Sequence, residues 1–323
     1  MATSAAIDMG PRTRRMGDIQ LYGGAALYRD ALRYNTYFVD PNTGDDDNSG
    51  KSWSRAFATM AAAFAVLGSG DRVYFVGNIS EHLTTPLARA QNVTIIGATT
   101  RPRHADTHPG GGELSGATWK SAGTNSPLLT LRNAGWRFVN ILFAAHASNS
   151  AVTLERNATE TAAGEFDASH AEFMGCRFAS GAYGINDTGG CFNVGLYENS
   201  FEALTTACIL GVGNIGVGQS QWHIRNNHFN GFTNGVKIAG HGCVIEGNFF
   251  TDGGTPNTTY VLNTNNGGGE NNFVVRNYFQ TLTANFNTPD VVGCATDVWA
   301  VNASIDSTAA GVGGSFEWGQ PAA

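Results

Sequence analysis

Ile224-Arg-Asn-Asn-His-Phe229 and, one repeat later, Ile245-Glu-Gly-Asn-Phe-Phe250 are the stretches that decide how this chain folds. Each sets an apolar residue five positions before a Phe and an Asn two positions before it (Asn227, Asn248). Working outward, the same arrangement returns in Phe138-Val-Asn-Ile-Leu-Phe143, Phe173-Met-Gly-Cys-Arg-Phe178, Leu196-Tyr-Glu-Asn-Ser-Phe201 and Val274-Val-Arg-Asn-Tyr-Phe279. The closing Phe recurs at steps of 21 to 35 residues, a solenoid period. Unequal steps imply a constant scaffold carrying loops of variable length. No copy shows the 3.6-residue apolar spacing of helical repeats over ten positions.

Each copy instead reads as a short strand and a turn. Asn199, Asn227, Asn248 and Asn277 stand two before their Phe, and Asn140 one position earlier than that. Asn tolerates the left-handed backbone of a sharp bend, and its amide can bond along a stack of like turns. A second apolar run follows each turn: residues 151–154, 183–185, 208–210, 235–238 and 260–262. Two or three strands per unit, bent at Asn and Gly, describe one coil of a parallel β-helix. Stacked coils put equivalent residues about 4.8 Å apart, so Phe should lie over Phe and Asn over Asn. Arg225 and Glu246 share an outward position on consecutive coils and should pair.

On these repeats the chain resembles the right-handed parallel β-helix, or pectate-lyase-like, family found in carbohydrate-active enzymes and tailed-phage virion proteins. The resemblance extends upstream to Tyr37-Phe-Val-Asp40, the acidic segment Asp45-Asp-Asp47-Asn-Ser-Gly50, an apolar helix and the strand at 73–76. It implies an all-β chain: a right-handed parallel β-helix solenoid with an N-terminal capping helix and an extended N-terminal arm. The expected divisions are an arm at 1–36, an acidic loop and capping helix at 37–70, the β-helix at 71–293 and a Gly/Ala-rich tail at 294–323. Strands are expected at 93–96 and 128–131, and long loops at 98–118 and 155–170. In the helix, Phe57, Met60, Ala61, Phe64 and Leu67 would form the covering face, with Ser54 as N-cap and Gly68 as stop. An apolar helix over the open end would blunt a strand edge that templates aggregation.

The chain has 323 residues, 42 Gly and 29 Asn, against three Lys. Its net charge of −7 argues against a general nucleic-acid binder. No apolar run reaches membrane-helix length, and the N-terminal residues lack the basic-then-apolar layout of a secretory signal. Five cysteines (Cys176, Cys191, Cys208, Cys243, Cys294) without close spacing read as small buried hydrophobes and not as disulfides or metal ligands. Charge divides unevenly: residues 1–36 carry +2 and the rest −9. In the arm, Arg12, Arg14, Arg15, Arg29 and Arg33, with Leu21, Tyr22 and Tyr28, are the expected docking residues toward a capsid or tail protein. Trp299, Phe316 and Trp318 would let the tail pack on a neighbour.

Glycoside hydrolysis needs two carboxyls about 5–9.5 Å apart, and adjacent coils can supply that. The candidates, were the chain an enzyme, are Asp187, Glu198, Glu202 and Glu246, with Glu172 and Asp252 also eligible. Nothing in the sequence links any two, and exposed acids in so acidic a chain are mostly solvated surface. The grouped Asp and nearby base that the resemblance implies for calcium-dependent lyases are not visible. Asp45, Asp47 and Ser49 match the first half of a calcium loop, but position twelve is Ala56 where Glu is required. His104-Ala-Asp-Thr-His108 lies between prolines and reads as a surface loop. No cofactor motif, phosphate loop or nucleophile motif is present.

Three functions follow. The structural one is a virion protein of a tailed bacteriophage, assembled in the host cytoplasm. It would be a homotrimer decorating capsid or tail, with flat faces (Val139, Met174, Tyr197) pressed together. The others are a tailspike-type depolymerase acting on a host surface glycan, and a non-catalytic glycan-binding module.

Overall fold

The computed structural model describes residues 34–85, 90–98, 117–123, 126–156, 167–211, 219–251, 260–281, 291–306 and 315–318. Three sheets of ten, eight and ten strands are built rung by rung as the chain coils. The coil around Phe201 shows the plan. Gly195–Tyr197 lies in sheet 1, Ser200–Leu204 in sheet 2 and Ala207–Gly211 in sheet 3. The next coil lays His223–Arg225, His228–Phe232 and Asn234–Lys237 directly upon them. Strand pairing is parallel except at the end, where Ser315–Trp318 runs antiparallel to Asn302–Asp306. Among the described residues the fold is a parallel β-helix, nearly all β, with one short α-helix.

Period-two alternation puts every second side chain inside. Sheet 2 contributes the column Trp119, Phe143, Phe178, Phe201, Phe229, Phe250 and Phe279, each in register with the next. Ring centroids along it stand 4.6–5.9 Å apart, and all seven side chains are buried. Burying one such ring is worth about 2–3 kcal/mol. The residue five before each Phe is the inward residue of sheet 1: Phe138, Phe173, Leu196, Ile224, Ile245 and Val274. Sheet 3 closes the core with Leu129, Val152, Ile185, Ile209, Val236 and Leu262. All five cysteines are buried without disulfides.

The turn between sheets 1 and 2 holds the asparagine ladder. Asn199, Asn227, Asn248, Asn277 and Asn302 are buried. The Oδ1 of Asn227 accepts from both the backbone amide (2.8 Å) and the Nδ2 (3.0 Å) of Asn199, and its own Nδ2 donates to the Leu196 carbonyl (2.9 Å) and to Asn248. The same set repeats up to Asn302. The left-handed conformation expected of these asparagines belongs to the residue before each: Glu198 (φ 53°), Asn226 (φ 54°), Gly247 (φ 66°), Arg276 (φ 56°) and Val301 (φ 55°). A positive φ there turns the chain, so the ladder residue keeps ordinary backbone and points inward. Asn140 (φ 58°) occupies the bend position and not the ladder position, which explains its one-residue offset.

Three expectations change. The solenoid begins at Thr36–Val39, before the helix, because that strand pairs with Arg72–Phe75 in sheet 1. It also continues past 293: Val298–Ala300 and Asn302–Asp306 add rungs to sheets 1 and 2. Ser304 stands where Phe would signal a repeat, so the pattern fades in composition while Asn302 carries the ladder on. The helix spans Met60–Val66, with Thr59 as N-cap and Leu67 as C-cap in place of Ser54 and Gly68. Ser54 lies in a 3-10 turn, Trp53–Arg55, and Phe57 forms a parallel bridge with Val39, which delays the helix. Met60, Phe64 and Leu67 are buried as expected, whereas Ala61 is exposed. Phe64 packs edge-on against Trp119 (6.2 Å) and Trp136 (5.2 Å).

Replacing Asn227 by Ala removes the acceptor of the buried Asn199 amide and the side-chain donor to the Asn248 Oδ1. We expect it to lower the unfolding free energy by about 3 kcal/mol in urea titration. Asn230→Ala, on the outer face of sheet 2, should change it by less than about 0.5 kcal/mol.

Candidate functional site

Chemistry on a β-helix must come from outward residues and turns, since the interior is packed. The outer face of sheet 3 carries Thr130, Thr153, Asn186, Leu210, Lys237 and Asn263, with Thr153 and Asn263 buried there, a row without a carboxylate among the described residues. Sheet 2 presents the ion pair of Arg177 with Glu202 (2.5 Å), and Glu202 also accepts from the Ser200 hydroxyl (2.7 Å). Farther along the same sheet, His228, Phe249 and Tyr278 form an outward ring column at 5.4 and 4.7 Å.

Sheet 1 carries the densest polar band. Arg137 contacts Glu172 on the next rung at 2.5 Å. Arg225 and Glu246 lie in register and pair at 3.4 Å, as the repeat alignment requires, and Arg276 bonds the other oxygen of Glu246. Between these pairs Tyr197 lies flat on the sheet. Its ring occupies the place a side chain on Gly195 would take, with ring atoms 2.4–2.9 Å from an ideal Cβ there. Glycine at 195 is therefore what lets the tyrosine recline. Burial, and then the Glu172 charge, raise the Tyr197 phenol above its ordinary value. Burial, and then Arg225, lower the His223 imidazole, favouring its neutral form.

The expected catalytic carboxylates do not converge. Asp187 faces the interior, fully buried. Its oxygens accept from the amides of Gly189, Gly190 and Cys191 (3.0–3.1 Å) and from the Gln219 side chain (2.7 Å), which makes it the keystone of a turn. Glu198 is exposed in the left-handed bend. Glu202 belongs to sheet 2 and Glu246 to sheet 1. Glu172 and Glu246 share sheet 1 but lie three rungs apart, about 14 Å, beyond the separation of either glycosidase geometry. Asp252, the arm residues Arg12, Arg14, Arg15, Leu21, Tyr22, Tyr28, Arg29 and Arg33, and His104 with His108 lie outside the described residues.

The acidic segment is occupied by backbone work. Asp45 accepts from the Asp47 amide, and Asp46 takes the amides of Ala58 and Thr59 and the Thr59 hydroxyl at the helix start. Glu81 takes the next two amides, Met60 and Ala61, each at 2.8 Å. Asp45, Asp47 and Ser49 are exposed, and the described residues contain no group of three or more His, Cys, Asp or Glu placed to share a metal. No described helix is long and apolar enough to cross a membrane. Sequence reading missed the arginine partners Arg137, Arg177 and Arg276 and the Gly195–Tyr197 pair. The available signal was the repeat alignment itself, which sets Arg137 beside Glu172 although 35 residues separate them.

No family model and no curated protein matches this chain. Solved structures do. A GH136 lacto-N-biosidase from Eubacterium ramulus superposes with TM-score 0.50 at 11% identity, over 86% of this chain and 57% of that one. Pectate lyase Pel9A gives 0.40 at 11% identity (84% and 78%), and a rhamnogalacturonan lyase 0.39 at 12% (81% and 86%). The chain thus spans little more than half of the lacto-N-biosidase. At these identities the likeness is one of fold, the parallel β-helix.

Burial raises the Asp187 carboxyl above its ordinary 3.8, with the Gln219 hydrogen bond opposing. A raised folded-state value means the folded chain holds the proton more tightly than the unfolded chain. Stability should then fall as pH rises from about 3.8 through the folded value. Asp187→Asn should flatten that slope in urea midpoints measured across the window. An unchanged slope would assign it to other groups.

Proposed function

We propose that this chain is a non-catalytic structural solenoid of a tailed-bacteriophage particle, made in the host cytoplasm and associating with copies of itself. The observation that carries the non-catalytic part is the state of the acids: Glu172, Glu202 and Glu246 are each engaged by arginine, Asp187 is sealed inside, and Glu198 sits in an exposed bend apart from them. A hydrolase needs two carboxyls that reach one glycosidic bond. No two of these are placed to do so.

Attachment through residues 1–36 is supported by charge, +2 there against −9 elsewhere, which suits a segment bound to a different surface from the one the body presents. Five buried, unbridged thiols suit folding in a reducing compartment. The helix at Met60–Val66 reads as the plug of the N-terminal end, with Phe64 against Trp119 and Trp136. Capsid or tail protein is then the partner of the arm.

A second reading, contact with or cleavage of a host surface glycan, draws on one feature: a reclining Tyr197 ring flanked by Glu172 and Arg225, a surface suited to a sugar ring. Two measurements separate the readings. Mass spectrometry and antibody labelling of purified particles should find the chain on head or tail; its absence from particles would end the structural proposal. Incubation with host capsular polysaccharide should release neither reducing ends nor unsaturated products. Turnover abolished by Glu246→Gln would establish the enzyme reading instead.

A further inference from the structure

Sheet 1 has a second outward column beside its charged one, and over six successive rungs it is wholly apolar: Phe38, Tyr74, Ile96, Val139, Met174 and Tyr197. The stripe is flat. Phe38 stacks on Tyr74 (5.9 Å), Met174 is 39% exposed, and Tyr197 lies down over Gly195. Trp53, 42% exposed, packs on Phe38 and widens one end. A patch of this length on a folded surface marks a contact.

We propose that two copies of the chain pack sheet 1 against sheet 1 about a two-fold axis parallel to the strands, with the solenoids antiparallel. This rests on the reading that copies associate, and it replaces the three-fold bundle expected from the sequence. The warrant is self-complementarity. The axis passes between the rungs of Ile96 and Val139. Those two residues then face each other, Tyr74 faces Met174 of the second copy, and Phe38 faces Tyr197. The neighbouring column, read over the same rungs, is Thr36, Arg72, Thr94, Arg137, Glu172 and Gly195. The same operation brings Arg72 opposite Glu172. A two-fold along the solenoid axis would keep each rung at its own level, so it could not bring Arg72 opposite Glu172.

The apolar and charged columns together measure about 30 Å by 15 Å at the strand and residue spacings, so the pair buries about 900 Å² in total. That is below the area of stable specific interfaces and fits a weak, concentration-dependent dimer.

The full-length chain tests this directly. Sedimentation from about 1 to 100 µM should pass from the 34.0 kDa monomer to twice that mass. An equimolar mixture of Ile96→Cys and Val139→Cys proteins should form a 96–139 disulfide under mild oxidation, while each protein alone should not; the five native thiols are buried. Glu172→Arg should weaken the dimer at least tenfold, and adding Arg72→Glu should restore it, although that second change cannot restore the internal contact with Arg137. Circular dichroism checks that each variant folds. Disulfides at 96–96 or 139–139, a trimer, or a monomer at 100 µM would each overturn the two-fold packing. None of these would touch the particle reading, which stands or falls on finding the chain in particles.

Discussion

Parallel strands lock together at one hydrogen-bond spacing, and in this molecule that spacing governs everything else. Each coil must return to the same place about 4.8 Å along the axis. Whatever a coil contributes is therefore placed against its own equivalent. Rings meet rings at 4.6–5.9 Å along sheet 2, and amides meet amides along the turn beside it. Side chains that stack well on copies of themselves are selected by this geometry. Phe and Asn are such residues, one for the dry interior and one for a buried bend whose backbone amides need acceptors. Loops outside the rungs are not held to the spacing, and their lengths vary accordingly.

The two columns have different duties. The Phe column supplies many of the largest rings of the core, but it would tolerate a small shift of one coil against another. The asparagine ladder would not. Each Oδ1 accepts two bonds from the ladder residue before it, so a slip of one residue strands several buried amides at once. Burial supplies stability and the ladder supplies register. Asp187 with Gln219, and Asp297 with Asn272, repeat that logic on the turn leading into sheet 1.

The same spacing shapes the outer faces. Outward residues on adjacent rungs are close enough for ion pairing, so opposite charges in the same column join, as in Arg137–Glu172 and Arg225–Glu246. Exposed pairs of this kind contribute little stability. Over its first six rungs sheet 1 carries an apolar outward column beside one that includes Arg72, Arg137 and Glu172.

Phe201, Phe229, Phe250 and the asparagines two before them sufficed to read the coil, its inward faces and the register that pairs Arg225 with Glu246. Those features repeat with the chain and depend on local spacing alone. The ends were not legible: Ser304 breaks the Phe pattern while its backbone continues the sheet, and the helix starts at Met60 because Phe57 bridges to Val39. Nor could the chain alone say that Asp187 points inward, that Tyr197 lies on Gly195, or which arginine holds which glutamate. Those facts join residues as much as 35 positions apart, and loop length, which varies freely, is what separates them in sequence. Periodicity was therefore written in the residues themselves, while every contact between coils waited on the winding of the chain.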